Sequence, residues 1–382
     1  MLERKMMHKL RAWKSSRERK VFVLLGARQT GKTHAIRRFA CESYKSFVEV
    51  NFLDRRDNAA FLSESDGAEE LISRLSLIEG RALPEGSLIF LDEVQHVGAD
   101  VVTLSKFVVE DGRYDLVLSG SPLGTVLDGV TSFPVGYAQI ERMYPLDFEE
   151  FCWAVGVPDA IVDQIHSAYR RKAPVGEALH ERMTKVFRQY IAVGGMPEAV
   201  LEWVTTEDVL NVREIQNRIL ASYTNDISKH AGNDTERVRM VWNSIPAQLA
   251  KENKKFVYGA VRKGGRAKDF EVAIQWLVDA GLTYKIHRCN SPEQPLKFYE
   301  DFDAFKLYLL DVGLLGALSE VSAGRMLVNN DVFKEFKGAF TENYVLEQLI
   351  VSEHPVIYYF SKENSKVEVD FLVQTRGRVI PI

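Results

Sequence analysis

Eight residues near the N-terminus, Gly26-Ala27-Arg28-Gln29-Thr30-Gly31-Lys32-Thr33, follow the spacing GxxxxGK(S/T) between an apolar run and a helical pattern. Each residue type in that spacing has work to do at a polyphosphate. The glycines let backbone N–H groups curl around a β-phosphate, and the helix beginning near Lys32 adds the positive end of its dipole. Lys32 reaches the β- and γ-phosphates, and the Thr33 hydroxyl coordinates Mg2+. The expected nucleotide contact is therefore the loop from Gly26 through Thr33, with His34 following it. Arg28 and Gln29 either touch phosphate or brace the loop from outside, and the sequence leaves both open. A second group, Leu88-Ile-Phe-Leu-Asp92-Glu93, is an apolar run ending in two carboxylates. Asp92 suits a hold on Mg2+ through its water shell, and Glu93 suits polarising an attacking water. A third run ends at Ser119-Gly120-Ser121, where the hydroxyl of Ser119 or of Ser121 is placed to orient that water.

The elements that must position these residues are short. Apolar runs at Val21–Leu25, Phe47–Phe52, Leu88–Leu91, Leu116–Leu118 and Gln139–Tyr144 alternate with helical stretches. That is the pattern of a parallel sheet covered on both faces. Before it, Leu2 to about Arg19 reads as a basic amphipathic helix. After Pro145 the period is helical from Phe148 to about His230, broken at Gly156–Pro158 and Gly194–Pro197. A helix from Thr235 to Leu249 follows, then an extended piece at Phe256–Tyr258. A second helix carries Phe270, Ala273, Ile274, Leu277 and Val278 and is closed by Gly281. Leu282, Tyr284 and Ile286 alternate as a strand, and Phe305–Leu310 forms another, which together predict a winged helix-turn-helix. The last module pairs a helix at Thr341–Val351 with strands at Val356–Phe360, Glu368–Val373 and Arg378–Ile382. The expected division is a phosphate-binding domain over 1–147, a helical lid over 148–234, a winged helix over 235–331 and a small α/β module over 332–382.

Bulk properties narrow the class. A chain of 382 residues calls for two or three domains. No stretch reaches the roughly 18 uninterrupted apolar residues of a membrane span, and the basic N-terminus lacks the apolar core of a secretory signal. No membrane partner is expected. Cys41, Cys152 and Cys289 are scattered, which excludes a disulfide framework and a zinc site and fits a cytoplasmic location. None of the eight histidines has ligand spacing. The net charge of −4 argues against a general nucleic-acid coat but leaves local patches open. One such patch is Lys251, Lys254, Lys255, Arg262, Lys263, Arg266 and Lys268, opposed only by Glu252. Lys254, Lys255, Lys263 and Arg266 are the expected DNA-phosphate contacts if the winged helix meets DNA; otherwise the patch is a solvated face or a docking surface. A second patch is the N-terminal helix, with Arg4, Lys5, Lys9, Arg11 and Lys14.

These residues resemble a family of bacterial and archaeal ATPases of the AAA superclass, in which a P-loop domain precedes a helical lid, a winged helix and a C-terminal domain of unknown function. The resemblance runs over essentially the whole chain. It rests on GARQTGKT at Gly26–Thr33, LDE at Leu91–Glu93, SGS at Ser119–Ser121 and YPLDFEEF at Tyr144–Phe151. Downstream it rests on GGMPEAV at Gly194–Val200, QLAKENKKF at Gln248–Phe256, WLVDAGL at Trp276–Leu282, FKLYLLDVGLLGAL at Phe305–Leu318 and EVDFLV at Glu368–Val373. The resemblance implies an α/β P-loop NTPase sheet of order 5-1-4-3-2, the arrangement that carries a catalytic glutamate. It also implies a C-terminal module similar to restriction endonucleases, with acidic residues at Glu342 and Asp370 and a Glu-x-Lys element after them. Glu368 is a spare ligand candidate. The chain stops at Pro381-Ile382 where that element would begin, and Lys362 and Lys366 precede the Asp370 strand, so no DNA cleavage is expected.

The expected function is that of an ATP-binding, Mg2+-dependent ATPase acting as a nucleotide-driven switch. Two alternatives stay open: an ATP-gated nucleic-acid-binding protein with little turnover, and an ATP-regulated nuclease. The Asp92–Glu93 pair favours the first. Arg142, Arg171 and Arg188 are candidates to complete the γ-phosphate site, unless a neighbouring subunit of an oligomer supplies the arginine.

Overall fold

The computed structural model describes residues 2–16, 20–54, 57–97, 100–121, 136–251, 254–328, 338–352, 356–362 and 367–382. Glu252 and Lys366 lie outside them. The chain divides into two compact units, Glu3–Tyr144 and Pro145–Ile382.

The first unit holds helix α1 (Met6–Ser15), then β1 (Val21–Leu25), α2 (Lys32–Ser43), β2 (Phe47–Asn51), α3 (Asp57–Ser63), α4 (Ala68–Glu79), β3 (Leu88–Asp92), α5 (Asp100–Asp111), β4 (Asp115–Gly120) and β5 (Ala138–Arg142). Its five strands are parallel in the order β2-β3-β4-β1-β5, which read from the other edge is the expected 5-1-4-3-2. Side chains alternate across the strands, so each apolar run serves two cores. Val21, Val23, Leu25, Ile89, Leu91, Leu116 and Leu118 face the layer that includes Leu62, Leu71, Leu75 and Leu104 of the helices α3 to α5. Phe22, Leu24, Leu88, Phe90 and Val117 face the other way, onto Ile36 and Phe39 of α2 and onto Met7, Leu10 and Trp13 of α1. Burial on both faces is why these strands read as continuous apolar runs.

Helix α1 is shorter than its sequence pattern, and its charges are used inside its own unit. Lys9 pairs with Glu141 and Arg11 with Glu42, each at 2.8 Å, while Arg4 just before the helix is buried.

The second unit begins with five helices, α6 (Phe148–Ala154), α7 (Asp159–Arg171), α8 (Glu177–Val193), α9 (Pro197–Thr206) and α10 (Val209–His230). Asp147 opens α6 with a reciprocal capping box to Glu150. The Gly194–Gly195 break exists because backbone segments meet there. The Gly195 carbonyl accepts from Leu146 N at 2.7 Å, and a Cβ on Gly195 would lie 2.1 Å from the Leu146 oxygen. Asp311 fastens this crossing: it accepts from Gly195 N at 2.6 Å and from Leu314 N at 2.8 Å. Fully buried, its carboxyl is pushed up to about 6 by loss of solvent, against the backbone N–H groups that favour its charge.

Next come α11 (Thr235–Leu249), a single turn α12 (Tyr258–Val261), α13 (Ala267–Asp279), β6 (Thr283–Cys289), β7 (Glu300–Leu309), α14 (Val312–Leu318) and α15 (Ala323–Val328). The chain closes with α16 (Ala339–Val351), β8 (Val356–Ser361), β9 (Glu368–Thr375) and β10 (Arg378–Pro381). The antiparallel pair β6–β7 does not end as a separate wing. β6 also runs parallel to β8, giving one sheet of order β10-β9-β8-β6-β7 that joins residues expected in two modules.

Candidate functional site

The loop from Gly26 to Gly31 joins β1 to α2 at the carboxyl edge of the parallel sheet, where ligands of open α/β sheets bind. Gly26 is required by crowding, since a Cβ there would lie 2.2 Å from the Met143 carbonyl oxygen. Gln29 (φ 66°) and Gly31 (φ 92°) take left-handed conformations that curl the loop. Lys32 lies buried across it, donating to the Gly26 and Ala27 carbonyls at 2.8 and 2.9 Å. Burial lowers its pKa to about 8; Glu93 and Asp92 oppose that shift and Arg28 adds to it. Arg28 is half-buried, and Gln29 and His34 are exposed.

Arg4, expected in the basic patch of the amphipathic N-terminal helix, braces this loop. The Arg4 guanidinium donates to the Thr30 carbonyl at 2.9 Å and to the Tyr144 carbonyl at 2.7 Å. A trans peptide points its C=O and N–H in opposite directions, so holding the Thr30 oxygen from behind aims the Gly31 N–H the other way. Flanked by Glu3 and Lys5, Arg4 gives no sign in the sequence that it turns inward.

β3 and β4 bring the second and third groups beside the loop. Asp92 is almost fully buried and is held by four donors. Thr33 Oγ1 and Asn51 Nδ2 donate to Oδ2 at 2.8 and 3.1 Å, Glu93 N donates to Oδ1 at 3.0 Å, and Ser119 Oγ also donates to Oδ1. Of the two serines offered by the sequence, Ser119 is thus the one whose hydroxyl meets Asp92, while Ser121 uses its backbone N–H on Gln95 at 3.3 Å. Asn51, one strand over, was missed because it lies at the end of a run that shows no motif.

Thr33 and Asp92 offer hard oxygen donors, the type Mg2+ takes, and they sit one hydrogen bond apart. Among the described residues no group of three or more His, Cys, Asp or Glu side chains could hold a metal alone. Mg2+ commonly binds through one or two protein groups with phosphate oxygens and waters, so this donor set fits a cation that arrives with its nucleotide. Arg142 ends β5 in this unit and is exposed; Arg171 and Arg188 belong to α7 and α8 of the other.

In the second unit, the acids Glu342, Glu368 and Asp370 do converge, but around lysines. Lys306 of β7, wholly buried, lies 2.9 Å from Glu368 Oε1 and 3.6 Å from both Glu342 Oε2 and Asp370 Oδ1. Its Nζ is off the hydrogen-bonding axis of all three, so charge rather than a directed hydrogen bond holds it. Lys254 pairs with Glu342 Oε1 and is itself buried, and Tyr308 OH donates to Glu342 Oε2 at 3.1 Å. Burial raises the Glu342 carboxyl and the two lysines oppose that. This corrects the reading of Lys254 as a DNA-phosphate contact: its charge is spent on Glu342, inside the fold. Lys255 is half-buried, whereas Arg262, Lys263, Arg266 and Lys268 are exposed around the start of α13.

Comparison with known proteins gives three family matches along the chain. Residues 18–152 match the model of an AAA domain. Residues 184–325 and 337–382 match two domains of unknown function, DUF8612 and DUF4143. No curated protein matches the chain. Among solved structures, it is similar to the PCH-2 protein of C. elegans, with 14% identity and a TM-score of 0.31, over 55% of this chain and 64% of that one. It therefore spans less than two thirds of that protein. It is also similar to the RuvB Holliday junction branch migration motor of Thermotoga maritima, with 16% identity and a TM-score of 0.35, over 76% of this chain and 90% of that one. Strand order gives Glu3–Tyr144 a P-loop NTPase fold, and residues 18–152 are similar to an AAA domain.

Proposed function

We propose that this chain binds ATP with Mg2+ in the loop Gly26–Thr33 and hydrolyses it, and that the cycle drives a conformational switch. The observation that supports this is the convergence on one sheet edge of Lys32, Thr33, Asp92, Glu93 and Ser119, with Thr33 Oγ1 2.8 Å from Asp92 Oδ2. In this reading Lys32 swings from the Gly26 and Ala27 carbonyls onto the β- and γ-phosphates. Thr33 and Asp92 hold Mg2+, which neutralises phosphate charge when bound. Glu93 takes a proton from the attacking water, and Ser119 fixes Asp92 from the neighbouring strand. Three free cysteines suit a reducing, cytoplasmic setting. Among the described residues no helix is long and apolar enough to cross a membrane.

A second reading, nucleotide-gated binding of DNA, draws on the exposed Arg262, Lys263, Arg266 and Lys268 at the turn into α13. The two readings separate on turnover. Calorimetric titration with ATP and Mg2+, paired with steady-state phosphate release, tests the first. Binding that Lys32→Ala abolishes, together with turnover, supports it; unchanged affinity in Lys32→Ala removes the phosphate-loop assignment.

A further inference from the structure

Asp92 is fixed by four donors, but Glu93 leaves the strand in a left-handed conformation, φ 57° and ψ 44°, which few residues with side chains adopt. That bend starts a single 3-10 turn, Val94–His96, and the turn carries Gln95 back beside the Glu93 side chain. Gln95 Nε2 donates to Glu93 Oε2. At its other end Gln95 Oε1 accepts the Ser121 N–H at 3.3 Å, just past β4. The approach is close enough that a Cβ on the intervening Gly120 would lie 3.0 Å from that same Oε1. One amide therefore spans from the carboxylate to the end of the strand that carries Ser119. Its orientation is set at both ends, because a flipped amide would face an oxygen to the carboxylate and an NH2 to an N–H.

We propose that Gln95 is a positioning residue for ATP hydrolysis: it holds one oxygen of Glu93 and registers the carboxylate against the end of β4, leaving the other oxygen to receive the proton of the attacking water. The inference rests on the reading of Glu93 as the base. A base must sit within hydrogen-bond reach of the proton it takes, and a carboxylate free to rotate spends little time there. A glutamine serves where a glutamate would not, because a neutral donor orients the carboxylate without repelling it. Glu93 and Asp92 both act electrostatically on Lys32 of α2, as does Arg28, and none of these charges is altered by changes at Gln95.

The test compares phosphate release by the full chain with those of Gln95→Ala, Gln95→Glu and Glu93→Gln, measuring kcat, KM for ATP and melting temperature. Gln95→Ala should lower kcat by about 10- to 100-fold, the scale of a misplaced catalytic group, with KM and melting temperature unchanged. Gln95→Glu replaces the donor with a like charge against the carboxylate and should lower kcat on the same scale, again with KM unchanged. If Glu93→Gln is inactive while both Gln95 variants keep the parent kcat and KM, Gln95 has no positioning role. If kcat falls only together with melting temperature and ATP affinity, Gln95 is a structural brace and the proposal is wrong. If Glu93→Gln turns over like the parent, the base assignment itself fails, and the proposal with it.

Discussion

Raising the pH from 7 to 9 should weaken ATP binding through one group, Lys32. Its Nζ is buried against two backbone carbonyls, and burial brings its pKa down to about 8 despite the nearby carboxylates. The phosphates bind the ammonium form, so affinity is constant well below that value and falls as the proton leaves above it. One unit above the pKa, about one molecule in eleven keeps the charge, which corresponds to roughly tenfold weaker binding, or about 1.4 kcal/mol. Binding at pH 9 must therefore take up close to one proton. Isothermal titration at pH 7, 8 and 9, in buffers of different ionisation enthalpy, reads both quantities. An affinity that stays level to pH 9 with no proton uptake would refute the argument that a buried, titrating Lys32 meets the phosphates. So would an identical pH dependence in Lys32→Arg, whose side chain keeps its charge throughout.

Other consequences follow from the packing and charge of each unit. Lys306→Met leaves the buried Glu342 with Lys254 alone and should lower stability by about 3 kcal/mol, the lower range for breaking a buried pair; an unchanged urea midpoint would show the cluster to be energetically idle. Gly195→Ala drives a methyl into the Leu146 carbonyl and should cost about 1–3 kcal/mol, visible as a lower melting temperature, and a parent-like melt would mean that the crossing is loose. If α13 meets DNA, Lys263→Glu with Arg266→Glu should flatten the salt dependence of binding by about 0.9 for each DNA phosphate that the variant no longer neutralises. Lys254→Glu should instead act through stability, and anisotropy titrations paired with thermal melts separate the two.

The candidate nucleotide site was legible because its chemistry is local. Gly26, Gly31, Lys32 and Thr33 lie in one stretch, and Asp92 and Glu93 end one apolar run, so type and spacing sufficed. The inner strands β1, β3 and β4 were legible for a related reason: burial on both faces removes the polar alternation that marks half-exposed strands. What stayed hidden was long-range. Lys306 lies thirty-odd positions before Glu342 and more than sixty before Asp370; the seating of Asn343 of α16 on Leu309 of β7 and the joining of β6 to β8 in one sheet bring them together. Lys254 and Arg4 belong to basic runs, and a run of charges does not say which member turns inward. Gln95 carries no motif of its own, since its role depends on the left-handed bend at Glu93.

The central claim is that Glu93 activates water for ATP hydrolysis at this sheet edge, and phosphate release from Glu93→Gln at saturating ATP and Mg2+ tests it most directly. The amide keeps the shape of the side chain and removes the base, so nucleotide affinity should persist while kcat falls by at least about 100-fold, the scale of general-base loss. Release at the parent rate, with nucleotide bound, would contradict it.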